Sequence, residues 1–238
     1  MLEHAFVTSK GDREKNEDSV YAGSNEHGFM AVVADGLGRQ GHGDIASKIV
    51  VNTFRENGFP SDSEEIKDTL SECKSALRTR IGENAIYSSM SSTVVFCYIR
   101  DMVLYGGFVG DSRLYLFRNN KFLFRTQDHS IPQMLVHNGK IKEKQIRNHP
   151  DRNRLLKVIN AANDPVFVEF FKPTQLQSGD AILLCSDGLW ENVLEKDMEI
   201  GLRKTQTVSD WCDYITYVAR KTGIGHNMDN YTAVAIRV

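Results

Sequence analysis

Proline is scarce in this chain, five residues in 238, and no stretch rich in proline, glycine or serine divides it. Linkers between folded units normally carry such a stretch, so a single domain over residues 1–238 is expected. Cysteine is scarce too: Cys73, Cys97, Cys185 and Cys212 are the four, and none stands in a Cys-x-x-Cys pair, which argues against a zinc site built on them. Reduced thiols in a cytoplasmic protein are expected, with Cys97 and Cys185, which lie in apolar runs, as small core residues. No apolar run approaches the roughly 20 residues of a membrane span, and the opening MLEHAFVTSKGDREKNED has no apolar signal-peptide segment. No membrane contact is expected. The formal net charge is only −2, so composition draws the chain neither to nucleic acid nor to an acidic membrane. G-x-G-x-x-G after a strand and G-x-x-x-x-G-K-[ST], the usual nucleotide loops, are missing as well.

What is present is an ordinary globular balance, 41% hydrophobic and 25% charged, enough at this length to bury a core without crosslinks. Strand-like runs cover Ser19–Ala22, Phe29–Ala34, Thr93–Ile99, Met102–Val109, Arg113–Phe117, Lys121–Arg125, Val166–Phe171, Ala181–Cys185 and Tyr231–Val238. Arg100-Asp101 and Asn119-Asn120 read as hairpin turns, and the partial alternation of the last run suits a half-buried strand. Asp44–Asn57 carries an apolar stripe of Ile45, Ile49, Val50 and Phe54. Ser63–Glu83 carries Ile66, Leu70, Cys73, Leu77 and Ile81 at helical spacing, with Ser61 or Ser63 as N-cap. Shorter helices fit Ile131–Asn138, Lys142–Arg147, Glu195–Leu202 and Val208–Thr222. Strands and helices come in blocks, which argues for an α+β fold with mostly antiparallel sheet.

The informative acidic residues stand at the ends of apolar strands. Phe29–Ala34 runs into Asp35-Gly36, Phe108-Val109-Gly110 into Asp111, and Leu183–Ser186 into Asp187-Gly188. Asp229-Asn230 opens the last strand, and Glu17-Asp18 precedes the first. Any one such aspartate is well explained as a turn former. Repeated Asp-Gly after apolar strands suggests more: the strand fixes the carboxylate, and the glycine lets a backbone carbonyl approach an ion. Hard divalent cations take carboxylate, carbonyl and water oxygens, and carboxylates that cluster need cations to be tolerated. Arg13, four residues before Glu17, can reach an anion bound among them, since guanidinium pairs well with phosphate.

Taken in order, these residues resemble a family. Arg13-Glu14-Lys15-Asn16-Glu17-Asp18, Val33-Ala34-Asp35-Gly36-Leu37-Gly38 with Ala46-Ser47 in the following helix, Ser91-Ser92-Thr93, Gly110-Asp111-Ser112-Arg113, Asp128-His129-Ser130, His149-Pro150 with Arg152-Asn153, Ser186-Asp187-Gly188-Leu189 and Asp229-Asn230 are similar to the successive motifs of the PPM (type 2C) metal-dependent serine/threonine protein phosphatases, in particular the minimal bacterial members. The resemblance covers nearly the whole chain. It implies two packed antiparallel sheets flanked by helices on both outer faces, a four-layer α-β-β-α sandwich. It implies two Mn²⁺ or Mg²⁺ ions, with a third in many bacterial members. Asp35 would bridge two ions, Asp187 and Asp229 would hold the first, and the Gly36 carbonyl would serve the second. Glu17 and Asp18 would serve the second directly or through water, Asp111 with Asp187 would bind the third, and Arg13 would hold the substrate phosphate. The implied partners are phosphorylated proteins and a cognate serine/threonine kinase, and the implied state is a monomer.

One position departs from the pattern. Some members carry a histidine after the Asp-Gly, proposed as general acid; here it is Leu37, and bacterial members commonly have an apolar residue at this place. His42 reads as a surface or turn residue, and His129 and His149 as structural. No Cys-x5-Arg loop is present, which argues against cysteine-dependent phosphatases. The competing readings are an inactive relative acting as a binding module and a hydrolase of small phosphate esters. The segment from Asp128 to Asp164 is expected to shape substrate choice, with Lys140–Lys144 and Arg147–Arg154 as solvated charge.

Overall fold

The computed structural model describes residues 2–38, 42–60, 62–162, 165–225 and 227–238. Its strands are β1 (Glu3–Ser9), β2 (Asp18–Asn25), β3 (Gly28–Leu37), β4 (Ser91–Ser92), β5 (Val94–Arg100), β6 (Val103–Val109), β7 (Arg113–Arg118), β8 (Lys121–Arg125), β9 (Ile159–Asn160), β10 (Glu169–Phe170), β11 (Thr174–Gln175), β12 (Ala181–Cys185) and β13 (Tyr231–Arg237). The helices are α1 (Gly43–Asn57), α2 (Ser63–Glu83), α3 (Ile131–His137), α4 (Asp187–Trp190), α5 (Glu195–Lys204) and α6 (Val208–Gly223). No helix among the described residues is long and apolar enough to cross a membrane.

Two antiparallel sheets form. One runs β1-β13-β12-β7-β8; the other runs β10-β6-β5-β3-β4-β9, with β2 added to β3 and β11 to β6. Strand alternation explains why they stack. Phe29, Ala31 and Val33 of β3 and Val95, Cys97 and Ile99 of β5 face Leu114 and Leu116 of β7, Ile182 and Leu184 of β12, and Val234 and Ile236 of β13. The intervening residues point outward to helices. Met30, Val32, Ala34, Val94 and Phe96 pack under α1 and α2, and Tyr115, Phe117, Ala181, Leu183, Ala233 and Ala235 pack under α5 and α6. The central strands are therefore apolar over most of their length because both of their faces are covered. The expected four-layer sandwich is present. The last strand differs from expectation: β13 is buried on both faces, not half-buried.

Several local readings need correction. β1 was not foreseen. It is an edge strand whose inward residues, Ala5 and Val7, are few and small, so its apolar signal is weak. The buried stripe of α1 is Ala46, Ser47, Val50, Val51 and Phe54, with Ile45 and Ile49 on its flank. The first hairpin turns on Asp101 and Met102, both at positive φ (50° and 59°), one residue later than expected. The N-cap of α2 is Asp62, whose carboxylate accepts the Glu64 and Glu65 N–H groups at 2.9 and 3.1 Å; Ser61 lies outside the described residues, and Ser63 is the first helical residue. Val166–Phe171 contributes only the two residues of β10, and Lys142–Arg147 only a 3-10 turn at Glu143–Gln145.

Candidate metal and phosphate site

The acidic strand ends meet because the pairing is antiparallel. Asp18 opens β2 directly opposite Asp35 near the end of β3. Asp187 follows the end of β12 as Asp229 precedes the start of β13, and these two strands are neighbours. Asp111 follows β6 across Gly110, which sits at φ +103°, a conformation that favours glycine. Arg13, Glu17, Asp35, Gly36, Asp111, Asp187 and Asp229 all line one cavity of about 570 Å³, together with Leu37, Asn153 and Leu155. Of the residues singled out from the sequence, Asp18 alone is not on the cavity wall; it is buried behind it.

Electrostatics mark this cluster. Burial, and then the charge of Asp187, push the Asp35 carboxyl well above the usual carboxylate range. Burial, and then the charge of Asp111, do the same to Asp187. Burial raises Asp18 to about 6, against a lowering hydrogen bond from Ser186. Burial and the charge of Asp128 raise Asp111 to about 7. The Oδ1 atoms of Asp18 and Asp111 are buried and have no hydrogen-bond donor among the described residues. Orphaned carboxylate oxygens beside like charges are costly, and a hard divalent cation is the group that relieves both penalties. The donor set fits such ions.

The protein holds some of these carboxylates with its own donors. The Arg13 guanidinium clasps both oxygens of Asp229, with Nε–Oδ1 at 3.0 Å and Nη2–Oδ2 at 2.9 Å. Glu17 Oε1 accepts the N–H of Gly43, the first residue of α1, at 2.9 Å, a favourable place for an anion. Ser186 Oγ–H donates to Asp18 Oδ2 at 2.7 Å. With Asp229 and Glu17 engaged in this way, no three acidic, histidine or cysteine side chains among the described residues close on one point as a ready cage. Gly36 meets Gly43 so closely that a Cβ on Gly36 would lie 1.9 Å from the Gly43 carbonyl oxygen. A side chain at either position would force the α1 start away from the cavity.

Backbone around the cavity is pinned by neighbours that the sequence reading quoted within motifs without assigning them a role. Asp35 N–H donates to Thr93 Oγ1 at 3.0 Å, and the Asp35 carbonyl accepts from Ser92 Oγ at 3.0 Å and Thr93 N–H at 2.8 Å. Asn230 Oδ1 accepts the Glu17 N–H, and its Nδ2 donates to the Lys10 and Lys15 carbonyls, each at 2.8 Å, so one amide fixes the loop that carries Arg13. Trp190 was not anticipated at all. Its indole N–H donates to the Asp111 carbonyl at 2.9 Å, and the Arg113 guanidinium stacks on its ring. Only its place three residues after Asp187 could have drawn notice. Asn153 and Leu155, which line the cavity, come from the segment expected to shape substrate choice; residues 163 and 164 of that segment lie outside the described residues.

The histidines behave as read. His129 is buried, and its Nδ1 accepts the Gly110 N–H at 3.1 Å; His149 Nδ1 accepts the Asp151 N–H at 3.1 Å; His42 packs edge-on against Tyr87. All four cysteines are buried and free. The arginines of 147–154 are not simply solvated: Arg147 pairs with Glu195 and Arg152 with Glu191, each at 2.7 Å.

The chain and its fold are similar to known proteins. The family model described as protein phosphatase 2C matches residues 10–230. The serine/threonine phosphatase stp of Listeria monocytogenes is 30% identical over 97% of this chain and 94% of its own. The serine/threonine protein phosphatase PstP of Mycobacterium tuberculosis is 28% identical over all of this chain and 45% of its own length. Among solved structures, serine/threonine phosphatase Stp1 from Staphylococcus aureus superposes with a TM-score of 0.88 at 28% identity, covering 100% of this chain and 95% of that one. The PstP catalytic domain solved in complex with two manganese ions superposes with a TM-score of 0.84 at 24% identity, covering 99% and 97%. The fold and site define a protein phosphatase. More narrowly, the chain belongs to the protein phosphatase 2C family, as a serine/threonine phosphatase.

Proposed function

We propose that this chain hydrolyses phosphoserine and phosphothreonine esters of proteins in a divalent-cation-dependent reaction, opposing a serine/threonine kinase, as a cytoplasmic monomer. The observation that carries the reading is the meeting of Asp35 and Asp187 across the two sheets, each pushed far from ordinary acidity by burial and by neighbouring carboxylates. Asp35 would be shared between two cations, with Asp187 and Asp229 holding the first and the Gly36 carbonyl, Glu17 and Asp18 the second. Asp111 with Asp187 would take a third. Manganese is supported by the two ions named for the PstP catalytic domain; magnesium shares the same donor preference. When bound, such ions supply Lewis-acid charge to the phosphoryl group and acidify water.

The chain's own groups do the rest. The Arg13 pair with Asp229 is open to solvent, with side chains 46% and 38% exposed, so exchanging a carboxylate for a phosphate costs little. The freed fork then binds two phosphate oxygens and orients the ester. Water oxygen forms the new bond to phosphorus, the bond to the seryl or threonyl oxygen breaks, and the leaving oxygen gains a proton. Leu37 lines the cavity and has no proton to give, so that proton comes from elsewhere, water or another group. No thiolate takes part: burial pushes the Cys73, Cys97 and Cys212 thiols up to about 12 and Cys185 higher still. The test is hydrolysis of a phosphothreonine peptide with Mn²⁺ and then with chelator. Activity that needs the ion and falls by several orders of magnitude in Asp35→Ala supports the reading; full activity in chelator or in Asp35→Ala overturns it.

A further inference from the structure

A second cleft, of about 440 Å³, backs onto the candidate site and has no part in the chemistry above. The partition between the two cavities is thin. Asp12 N–H donates to the Met228 carbonyl and Met228 N–H donates to Asp12 Oδ2, both at 2.9 Å. The next residue on each segment, Arg13 and Asp229, faces the phosphate side, while Asp12 and Met228 face the cleft. The opposite wall of the cleft is the last turns of α6 and the residue after it, with Tyr217, Arg220, Lys221 and Ile224. Tyr217 is 62% and Ile224 76% exposed, so an aromatic and an aliphatic side chain stand uncovered beside two cations. Neither Arg220 nor Lys221 has an acidic partner among the described residues, and the cleft's own carboxylate, Asp12, is occupied by the Met228 N–H.

Resting on the phosphatase reading, we propose that this cleft is a docking subsite for the substrate chain flanking the phosphoresidue, and that it selects acidic residues next to an apolar one. Continuity favours this occupant. The two sides of the partition are formed by adjacent residues, Arg13 with Asp12 and Asp229 with Met228, so an extended chain advancing about 3.3 Å per residue leaves the Arg13 side and reaches the cleft within a few residues. Charge complementarity favours it too: Arg220 and Lys221 attract carboxylates, and Tyr217 and Ile224 offer the apolar contact that fixes register.

The experiment compares kcat/KM for p-nitrophenyl phosphate, for a phosphothreonine peptide with Glu and Leu placed within six residues on either side, and for the same peptide with Lys replacing Glu. The wild type is expected to prefer the acidic peptide about tenfold, given two rim charges, and to lose the preference with added salt. The variant R220E/K221E is expected to reverse the preference, and Y217A/I224A to reduce it. Both variants change exposed side chains, and a thermal melt confirms folding. An acidic-to-basic ratio that is the same in wild type and R220E/K221E, with p-nitrophenyl phosphate turned over by both, overturns the docking proposal alone. A folded, Mn²⁺-supplied wild type that hydrolyses none of the three overturns the phosphatase reading instead.

Discussion

Asp111 offers a way to weigh the site by stability rather than by activity. Its carboxyl titrates at about 7 in the folded chain against 3.8 ordinarily, chiefly through burial. The folded state therefore binds more protons than the unfolded state between those values, and stability falls as pH rises through that window. The penalty is absent below the ordinary value and complete once pH passes about 7, where it amounts to about 4 kcal/mol. For a chain of this size, each kcal/mol moves Tm by about 2–4 °C, so the effect is about 10 °C. The assay is a thermal melt in chelator from pH 5 to pH 8 for wild type and Asp111→Asn. Wild type should lose stability across the range, while the variant, which keeps the shape without the charge, should be the more stable of the two at pH 8 and have the shallower slope. Excess Mn²⁺ should narrow the gap, since ligand at 100 times its Kd adds about 2.7 kcal/mol and Asp111 is one of the carboxylates proposed to hold an ion. Identical pH slopes for the two proteins in chelator would refute the argument that an unpaired, buried Asp111 charge strains this site.

Other substitutions separate chemistry from architecture. Arg13→Ala should raise KM for a phosphopeptide about tenfold or more while leaving measurable kcat, and should shift Tm by less than the equivalent of about 1 kcal/mol because the pair it breaks is exposed; a large stability loss would contradict this. Asp62→Ala removes the side-chain cap at the start of α2 and should cost about 1 kcal/mol in a urea titration without changing kcat. Asp128→Ala leaves the buried Arg113 without the carboxylate that it meets at 2.6 and 2.7 Å, and should cost about 3–5 kcal/mol by the same titration.

Much of the fold was legible because the central strands are covered on both sides. β3, β5 and β12 read as unbroken apolar runs, and unbroken runs of that length can be only buried strand or buried helix, a choice settled by their β-branched content and flanking turns. The elements that escaped are those whose pairing is decided by distant partners. β1 has little apolar content of its own and is ordered by seven register pairs with β13, from Glu3 with Arg237 to Ser9 with Tyr231. β10 pairs only Glu169 and Phe170 with β6, so most of the apolar stretch around it is loop packed against the second sheet. Asp62 was passed over for its serine neighbours because a cap is chosen by backbone direction, which local composition does not encode.

The site divides differently. Which carboxylates belong together could be read from strand ends alone, since antiparallel neighbours necessarily bring one strand's end beside the next strand's start. How each is held could not. Glu17 and Asp229 have partners far away in sequence, the α1 start and Arg13, and those contacts depend on loop conformation rather than strand order. The consequence is an asymmetry in the cluster. Glu17 and Asp229 are each engaged by a donor from the protein, whereas Asp18 and Asp111 each keep an orphaned oxygen, and burial with neighbouring carboxylates pushes Asp35 and Asp187 well above the usual carboxylate range. The free energy that cations would recover is therefore concentrated in Asp18, Asp35, Asp111 and Asp187, which come from both sheets. Asp229, proposed above to help hold the first ion, is clasped by Arg13, so it would be free for that role when a phosphate takes the guanidinium. Binding of the substrate's anion and completion of the proposed donor set would then be linked through a single guanidinium.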